Sequence, residues 1–302
     1  MGYGDDLKVI QINIPKYGTA FKAKLYHKNK KTLDLLNIKI IEEIDRLEMI
    51  FSTYQTTSEL NSIVNIKPNQ SFNLSSELFE CLQIAQSIYK KSDSVFNPAV
   101  APWTKQWKLA RGDLSIIDFK SKHRFNFLEI ELSQGKLAAK FLNDVFPIDL
   151  GGIAKGYVLD HLAKLLKKEN CTRYILSLGG EILTGQPPPN KFFWKIPCEG
   201  PDRTIIAEIK LINRALSISG SSYQFLWRNG ERISHLYNQK SNKASQNKSI
   251  AYVIGERSSH TDAWATVLSI NGPDTFQQWD HQIEWGGLLS NEGWEYKSGD
   301  LP

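Results

Sequence analysis

Residues that could bind phosphate are concentrated in one stretch, 148–156, which reads Ile-Asp-Leu-Gly-Gly-Ile-Ala-Lys-Gly. An acidic residue, two adjacent glycines and Lys155 precede or open a predicted helix. Glycines let the backbone approach a ligand closely, free N–H groups at a helix start favour an anion, and Lys155 adds a point charge. The alternative is an N-capping Asp149 with a glycine turn and Lys155 in solvent. The glycine spacing fits neither a Walker nor a Rossmann fingerprint.

A second stretch, 260–266, contains oxygen groups of the kind that bind divalent cations. Asp262 and Thr266 are four residues apart, so they share one face of a helical turn. A carboxylate beside a hydroxyl suits Mg²⁺, which keeps several waters and recruits phosphate oxygens from its substrate. The alternative is an aspartate at a helix start beside an ordinary threonine.

Three further features lie on predicted strands or turns. Residues 178–181 run from a strand into paired glycines and Glu181, a pattern that is also typical of a tight turn or bulge with a surface glutamate. Ser219-Gly220 lie among small hydroxyl residues that suit hydrogen bonding to a ligand. His235, on a nearby strand, is either a proton carrier or a structural histidine.

The elements around these motifs predict an α+β fold, a largely antiparallel sheet packed with helices, in a single domain over residues 1–302. Helices come early and a run of strands follows, which does not match a regular βαβ alternation. Apolar residues at three- and four-residue steps predict helices over 33–47 with Thr32 as N-cap, over 78–88 starting at Ser75-Ser76, over 154–165, and over 262–270. Strands are predicted at 7–14, 20–26, 127–132, 136–142, 174–178, 192–197, 205–209, 215–219 and 250–254.

Composition narrows the function classes. The 302 residues are 41% hydrophobic and 23% charged, an ordinary folded composition. The net charge of +5 comes from scattered lysines without an aromatic-basic motif, so a nucleic-acid partner is not expected. Three widely spaced cysteines indicate neither a zinc site nor a disulfide framework. Three tryptophans near the C-terminal end, Trp279, Trp285 and Trp294, either cover the core or form a contact surface.

The sequence contains no targeting signal that would define the compartment. No apolar stretch approaches the length of a transmembrane segment, and the start of the chain lacks the basic and apolar regions of a signal peptide. A chain whose leader had been removed would look the same. The localisation is therefore undetermined, and it is periplasmic or membrane-anchored if a leader was trimmed.

Together these motifs resemble the ApbE family of flavin transferases, over roughly Tyr17 to Asn271. The most specific element is 149–160, which resembles the family's D-L-G-G-I-A-K-G-Y-x-x-D nearly residue for residue. The other matching elements follow in the family's order: Tyr17-Gly18-Thr19 (M-G-T), 51–65 (S-T-Y, S-E-L and Asn65), 95–107 (F-D-P-T, P and W), 178–181 (L-G-G-E), Ser219-Gly220 with Tyr223, His235, and Asp262 with Thr266.

The resemblance implies an α+β fold that binds FAD in a cleft and uses Mg²⁺ to cleave the FAD pyrophosphate. Such enzymes transfer FMN to a Thr or Ser hydroxyl of a target protein and release AMP. By matched position, the expected metal ligands are the Ala154 carbonyl, Asp262 and Thr266, with Lys155 and the helix start holding phosphate. The residues expected to line the flavin and adenosine pockets are Tyr54, Glu181 and Ser219-Gly220. Asp262 and His235 are the expected catalytic residues, His235 acting as base or orienter near the attacking hydroxyl.

This chain departs from the family pattern at three places. Phe96-Asn97-Pro98-Ala99 stands where the family has F-D-P-T, and residues 236–242 replace I-I-D-P-R-T-G. Tyr17 replaces the opening methionine, and its ring could stack on a flavin. These changes bear on transfer more than on flavin binding. The sequence therefore leaves open an FMN transferase, an FAD pyrophosphatase that releases FMN into solution, a flavin-binding protein without catalysis, and a binding module without flavin.

Overall fold

The computed structural model describes residues 7–63, 66–110, 127, 130–142, 147–222, 224–228, 230–241, 243–279 and 281–301. Asn65, Tyr223 and Asn242, which belong to the segments compared above, lie outside the described residues, as do positions 128 and 129 of the predicted strand 127–132. No described helix has the length and apolarity needed to cross a membrane.

The described helices are α1 (Lys30–Phe51), α2 (Glu59–Ser62), α3 (Ser76–Lys91), α4 (Ala101–Leu109), α5 (Ala154–Lys168) and α6 (Ser258–Asn271). The described strands are β1 (Lys8–Lys16), β2 (Thr19–His27), β3 (Ser71–Asn73), β4 (Ile130–Ser133), β5 (Ala138–Phe141), β6 (Arg173–Leu178), β7 (Glu181–Thr184), β8 (Trp194–Glu199), β9 (Ile205–Leu211), β10 (Ala215–Ser219), β11 (Phe225–Arg228), β12 (Glu231–Ser234), β13 (Tyr237–Asn238), β14 (Lys243–Ala244), β15 (Ile250–Gly255), β16 (Ile283–Ser290) and β17 (Gly293–Lys297).

A main sheet of eight strands, in the order β1-β2-β6-β7-β10-β15-β16-β17, organises the fold. Every neighbouring pair in it is antiparallel. Helices α1, α5 and α6 pack against strands of this sheet, and α3 packs against α1 and α6. The β8–β9 hairpin contributes to a second core, with Trp194 packed near Tyr252 and Trp285. The predicted α+β fold with a largely antiparallel sheet is confirmed.

The strands predicted at 7–14 and 20–26 are confirmed, and they pair as a hairpin. Tyr17 (φ 53°) and Gly18 (φ 68°) occupy the two central positions of the β1–β2 turn. Positive φ at both positions gives the turn a twist that matches the strands. Helix α1 begins at Lys30, earlier than predicted. Its N-cap is Asn29 rather than Thr32, and the Asn29 side chain accepts the Lys31 N–H. The predicted helix start at Ser75 is confirmed, since its side chain accepts from Leu78 N.

Helices α5 and α6 meet at their first turns, and this contact positions the residues considered below. Gly156 allows the approach, because a Cβ at that position would lie 2.1 Å from the Ser258 carbonyl oxygen. Asp160 of α5 accepts hydrogen bonds from Ser258 N (2.7 Å) and Ser259 N (3.0 Å). A carboxylate thus satisfies the free N–H groups of α6 from outside that helix. Helix α6 therefore begins at Ser258 rather than at the predicted residue 262.

Candidate functional site

A partly buried cation between two buried carboxylates forms the centre of the candidate site. Lys155 Nζ lies 2.9 Å from Glu181 Oε1 and 3.6 Å from Asp262 Oδ2, and it donates to the Gly151 carbonyl at 2.9 Å. The Gly156 N–H donates to Asp262 Oδ2 at 3.0 Å. The structure thus brings together three predicted residues from α5, β7 and α6, next to Ala154, the buried first residue of α5.

The local loops explain why these residues converge. Asp149 does not cap α5; instead its Oδ1 accepts the Gly151 N–H at 2.8 Å and its Oδ2 accepts the Thr104 hydroxyl at 2.7 Å. This arrangement folds the glycine pair into a turn ahead of Ala154. Lys155 is not in solvent, contrary to the alternative interpretation of this stretch, because the turn directs its side chain toward Glu181.

The three charged groups of this centre shift one another's pKa values. Glu181 and Asp262 are only 3% and 4% exposed. Burial and the neighbouring Asp262 raise the pKa of Glu181 well above its usual range, and Lys155 opposes that shift only in part. Burial alone would lower the pKa of Lys155, but the two carboxylates outweigh it and raise that pKa. The ammonium therefore stays charged at neutral pH.

Glu181 also has an oxygen available for a ligand. Its Oε2 is buried and has no hydrogen-bond partner among the described residues. A buried polar atom in this state costs free energy unless a ligand or water satisfies it. Glu181 is therefore not the surface glutamate that the sequence allowed as an alternative, and its position fits a group that contacts a bound molecule.

Thr266 lies one helical turn after Asp262 and donates its hydroxyl to the Asp262 carbonyl at 3.3 Å. A Cβ at Gly152 would lie 3.1 Å from Thr266 Oγ1 and 3.4 Å from the Phe96 ring. Gly152 therefore keeps the space beside this hydroxyl open. The first turn of α5, the Asp262 carboxylate and the Thr266 hydroxyl form one small region lined with oxygen groups.

This region fits the donor set expected for Mg²⁺. Among the described residues, no three His, Cys, Asp or Glu side chains cluster as metal ligands. A carboxylate and a hydroxyl are nevertheless sufficient protein ligands for an ion that takes most of its coordination from water and substrate phosphate. The residues that would hold it are Ala154, Asp262 and Thr266, and Lys155 adds a second positive charge beside Asp262.

The glycine turn between β6 and β7 lies next to Lys155. Gly179 has φ 65°, and a Cβ there would lie 3.5 Å from Lys155 Cε. A Cβ at Gly180 would lie 2.4 Å from the Ile218 carbonyl oxygen, so the turn packs tightly on β10. Glu181 is paired with Ser217 of β10, which places Ser219-Gly220 just beyond it at the same sheet edge. Both predicted cofactor-binding segments thus lie on the side of the sheet where Lys155 is found.

His235 lies in a separate aromatic cluster. Its Nδ1 is 3.2 Å from the Gln224 carbonyl oxygen, its ring centroid is 5.6 Å from that of Trp107, and its carbonyl accepts from Trp103 Nε1 at 3.2 Å. Trp103 also stacks on Tyr237, with centroids 4.6 Å apart. Helix α4, which the sequence did not predict, supplies both tryptophans. The histidine ring is therefore oriented by its surroundings, and its role as base or orienter stays a prediction.

Two of the departures from the family pattern touch one another. Asn97 donates its side-chain amide to Gln239 Oε1, and its own Oδ1 accepts the Ala99 N–H at 2.9 Å. Lys240, in the same loop, pairs with Asp93. The loop after His235 is therefore attached to the segment around Pro98 through a neutral amide pair, at positions where the family has an aspartate and a proline.

The two tyrosines predicted to contact flavin occupy different surroundings. The Tyr17 ring packs against the main hydrophobic core, and its hydroxyl is buried without a partner among the described residues. Burial, followed by Glu48 and Asp45, raises the Tyr17 pKa. Tyr54 is 74% exposed and lies under Lys108, whose Nζ is 4.4 Å from the ring centroid. Flavin contact by either ring stays a prediction.

Three residues that position the site had no role predicted from the sequence. Asp160 fixes the start of α6, and Thr104 and Lys108 of α4 contact Asp149, Lys108 Nζ lying 3.9 Å from Asp149 Oδ2. The signal for Asp160 was present, because it is the last residue of the most specific motif. Thr104 and Lys108 carried no signal, because their contact with Asp149 depends on tertiary packing.

Comparison with known proteins gives a consistent result. The sequence model of the ApbE family matches residues 17–285. The FAD:protein FMN transferase of Escherichia coli K12 is 24% identical over 274 residues, covering 85% of this chain and 77% of that protein. The FAD:protein FMN transferase of Klebsiella pneumoniae strain 342 is 22% identical over 278 residues, covering 86% of this chain and 78% of that protein.

Solved structures agree at the level of the fold. The flavin transferase ApbE of Vibrio cholerae superposes with a TM-score of 0.82 at 21% identity, over 97% of each chain. The ApbE protein of Thermotoga maritima gives a TM-score of 0.80 at 18% identity, over 95% of this chain and 96% of that chain. The family match covers most of the chain and includes every element of the site described above. This chain belongs to the ApbE family.

Proposed function

We propose that this protein is a Mg²⁺-dependent FAD:protein FMN transferase. It cleaves the FAD pyrophosphate, attaches FMN to a Thr or Ser hydroxyl of a separate target protein and releases AMP. The observation that carries the proposal is the convergence of Lys155, Glu181 and Asp262 at the first turn of α5, with Thr266 beside them. The names of the relatives support the same reaction.

The residues of the chain have separate roles in this proposal. Lys155 and the backbone around Gly151-Gly152 bind the pyrophosphate, since a fixed ammonium and a helix start both favour an anion. Ala154, Asp262 and Thr266 would hold Mg²⁺, and the ion would supply positive charge to offset the charge that builds on the leaving AMP phosphate. Because Lys155 already contacts both carboxylates, its position does not depend on substrate.

The other reacting group is the Thr or Ser hydroxyl of the acceptor protein, and the residues around His235 would position it. His235 either accepts the proton of the attacking Thr or Ser hydroxyl or orients that hydroxyl. Trp103 and Trp107 hold the histidine backbone and ring in one orientation, so the group is positioned before an acceptor binds. Glu181 is available to form a hydrogen bond with the flavin or adenosine through its unpartnered Oε2.

The amide pair of Asn97 and Gln239 favours a second candidate function. It stands where the family has an aspartate and a proline, and it joins the segment around Pro98 to the loop that follows His235, while the centre around Lys155 keeps its family residues. A protein with this combination would bind FAD and either hydrolyse it to FMN and AMP or leave it intact. The three outcomes are separated by where FMN is found: on the target protein, in solution, or still within FAD.

The experiment is AMP release from FAD by the purified protein, with Mg²⁺ or with EDTA. We expect release with Mg²⁺ only, and a loss on the order of 10²-fold or more in Asp262→Ala, because the change removes a metal ligand. Asp274→Ala, an exposed aspartate just after α6, is the matched control and keeps wild-type release. Release that persists in EDTA, or equal rates for the two variants, would contradict the assigned site.

A further inference from the structure

The sheet edge opposite the candidate site carries its own pattern of residues. The site lies where β6 ends and β7 begins, whereas the opposite edge lies where β7 ends and β10 begins. At that edge Asn213 N donates to the Gly185 carbonyl at 3.2 Å, and Trp194 Nε1 donates to the Gln186 carbonyl at 3.1 Å. These bonds join the loop before β8 to the segment after β9. We call residues 185–186, 191–195 and 210–213 the basal edge.

The basal edge presents apolar side chains to solvent. Phe192 is 85% exposed, more than any other large hydrophobic side chain among the described residues. Ile212 is also exposed, and the Phe193 ring is only partly buried. A single exposed apolar side chain is common on protein surfaces, so Phe192 indicates a contact surface only in combination with the charged residues around it.

Lysines surround these apolar groups. Lys195 and Lys210 are direct cross-strand partners in the β8–β9 hairpin, with Nζ atoms 5.9 Å and 5.1 Å from the Phe193 centroid. Glu208 offsets Lys195 at 2.9 Å. No described carboxylate pairs with Lys210 or Lys191. Like charges placed directly opposite each other weaken a strand pair, so this arrangement is better explained by an anionic partner than by stability.

An adjoining cavity extends the positive surface. It measures about 540 Å³, opens beside Gly185 and Asn213, and has Lys164, Lys167 and Arg257 in its wall. Its acidic lining residues are Glu256 and Asp160, and the Asp160 carboxylate accepts hydrogen bonds from the first N–H groups of α6. Arg257 and Lys164 are partly neutralised by Glu80. Lys167, Lys191 and Lys210 have no carboxylate partner among the described residues, and they outnumber Glu256, the lining acid without a described cation partner, so this side of the molecule carries a net positive charge.

We propose that the basal edge docks on the surface of an anionic lipid bilayer. Phe192 inserts among the headgroups while Lys191 and Lys210 lie over the anionic lipids, the combination that holds proteins in a membrane interface. In this orientation the sheet edge with Lys155 points away from the bilayer and stays open to FAD and to an acceptor. The proposal does not depend on the catalytic assignment.

The test is flotation of the whole protein with vesicles of phosphatidylcholine alone or with added phosphatidylglycerol. We expect binding to the anionic vesicles only, weakening as salt is raised. Phe192→Ser is expected to lower the partition coefficient about tenfold, because a Phe ring loses its burial. Lys191→Glu/Lys210→Glu is expected to lower it by roughly thirtyfold or more, from the electrostatic contribution of each lysine near such a surface.

Matched controls keep the test specific. Ile38→Ser removes another exposed apolar side chain, on α1, and Lys67→Glu/Lys136→Glu makes the same charge change far from the basal edge. Both should stay within about twofold of wild type, and circular dichroism checks that all variants fold. Equal binding to neutral vesicles, or equal losses in controls and test variants, would overturn the proposal. The proposal would also be overturned if the protein bound a single-stranded oligonucleotide but not the vesicles, and if the lysine variant lost that oligonucleotide binding.

Discussion

Removing the carboxylate of Asp160 is predicted to destabilise the contact on which the site depends. Asp160 is 9% exposed and accepts from Ser258 N at 2.7 Å, Ser259 N at 3.0 Å and Ser259 Oγ at 2.6 Å. Both serines are fully buried, so Asp160→Ala leaves their donors unsatisfied. A hydrogen bond to a charged group contributes about 1.5–3 kcal/mol, and losses within one cluster do not add fully. We therefore expect the free energy of unfolding to fall by about 3–5 kcal/mol.

Urea denaturation measures this loss of free energy of unfolding, and Asp160→Asn is expected to show an intermediate loss. The asparagine keeps one acceptor oxygen of two, so its cost should be about half that of the alanine variant. A second readout is Mg²⁺-dependent FAD binding at a temperature where each variant is folded, since a displaced α6 moves Asp262 and Thr266. Asp274→Ala should lie within about 0.5 kcal/mol of wild type. If Asp160→Ala stays within about 1 kcal/mol of that control, Asp160 does not hold α6 and the reasoning fails.

Three further predictions concern α5 and a residue of α3 that contacts it. Gly156→Ala should lower the free energy of unfolding by at least about 1–3 kcal/mol, because the added Cβ would lie 2.1 Å from the Ser258 carbonyl oxygen. Gly135→Ala, whose Cβ would have no atom within 4 Å, should leave thermal unfolding nearly unchanged. Lys155→Met should lower the free energy of unfolding by about 3–5 kcal/mol, because the buried Glu181 and Asp262 lose their cation, against under about 1 kcal/mol for the exposed Lys164→Met; equal costs would contradict an ion pair between Lys155 and these carboxylates. Burial alone would raise the pKa of Glu80, but Tyr157, Lys164 and Arg257 outweigh it and lower that pKa. The resulting stabilisation is present above the unfolded-state pKa and is lost as pH falls through the folded-state pKa. Glu80→Gln should therefore destabilise the protein by under about 1 kcal/mol at pH 7, and the difference should vanish in acid; a constant difference would refute this.

The residues around the glycine turns could be predicted well from the sequence because their positions are set locally. The Asp149–Asp160 motif opens a helix, and the Tyr17-Gly18 turn connects two strands, as expected. The convergence of Lys155, Glu181 and Asp262 was predicted only through the family resemblance. Taken alone, each of these motifs fitted an ordinary turn or helix start better than a ligand site, because the distances that join them are tertiary.

The C-terminal strands were not predicted, and their glycines explain why. Strand β16 is buried on both faces, so it lacks the alternation of a half-exposed strand, and Gly286-Gly287 reads as a turn. In the structure these glycines make room for indole rings: a Cβ at Gly286 would lie 2.3 Å from the Trp279 ring, and one at Gly287 would lie 2.8 Å from Trp285 and Trp294. Of the two roles considered for these tryptophans, packing over the sheet is the one observed.

The start of α6 was placed too late for a related reason. A helix start is normally recognised by a capping side chain close in sequence, and Arg257 provides no such side-chain bond. The cap comes from Asp160, almost a hundred residues earlier in the chain. Side chains that act across such separations, including Thr104 on Asp149 and Asn97 on Gln239, leave no local pattern that would reveal them.

The central claim is that the centre around Lys155 and Asp262 transfers FMN to protein, and intact mass spectrometry of an acceptor tests it most directly. An acceptor domain carrying a Thr or Ser flavinylation motif is incubated with the protein, FAD and Mg²⁺, and AMP is quantified in the same sample. We predict that the acceptor gains the mass of one FMN group for each AMP released, and that Asp262→Ala produces neither. An unmodified acceptor with equal amounts of free FMN and AMP in solution would contradict the transferase assignment and identify the protein as an FAD-hydrolysing member of the family.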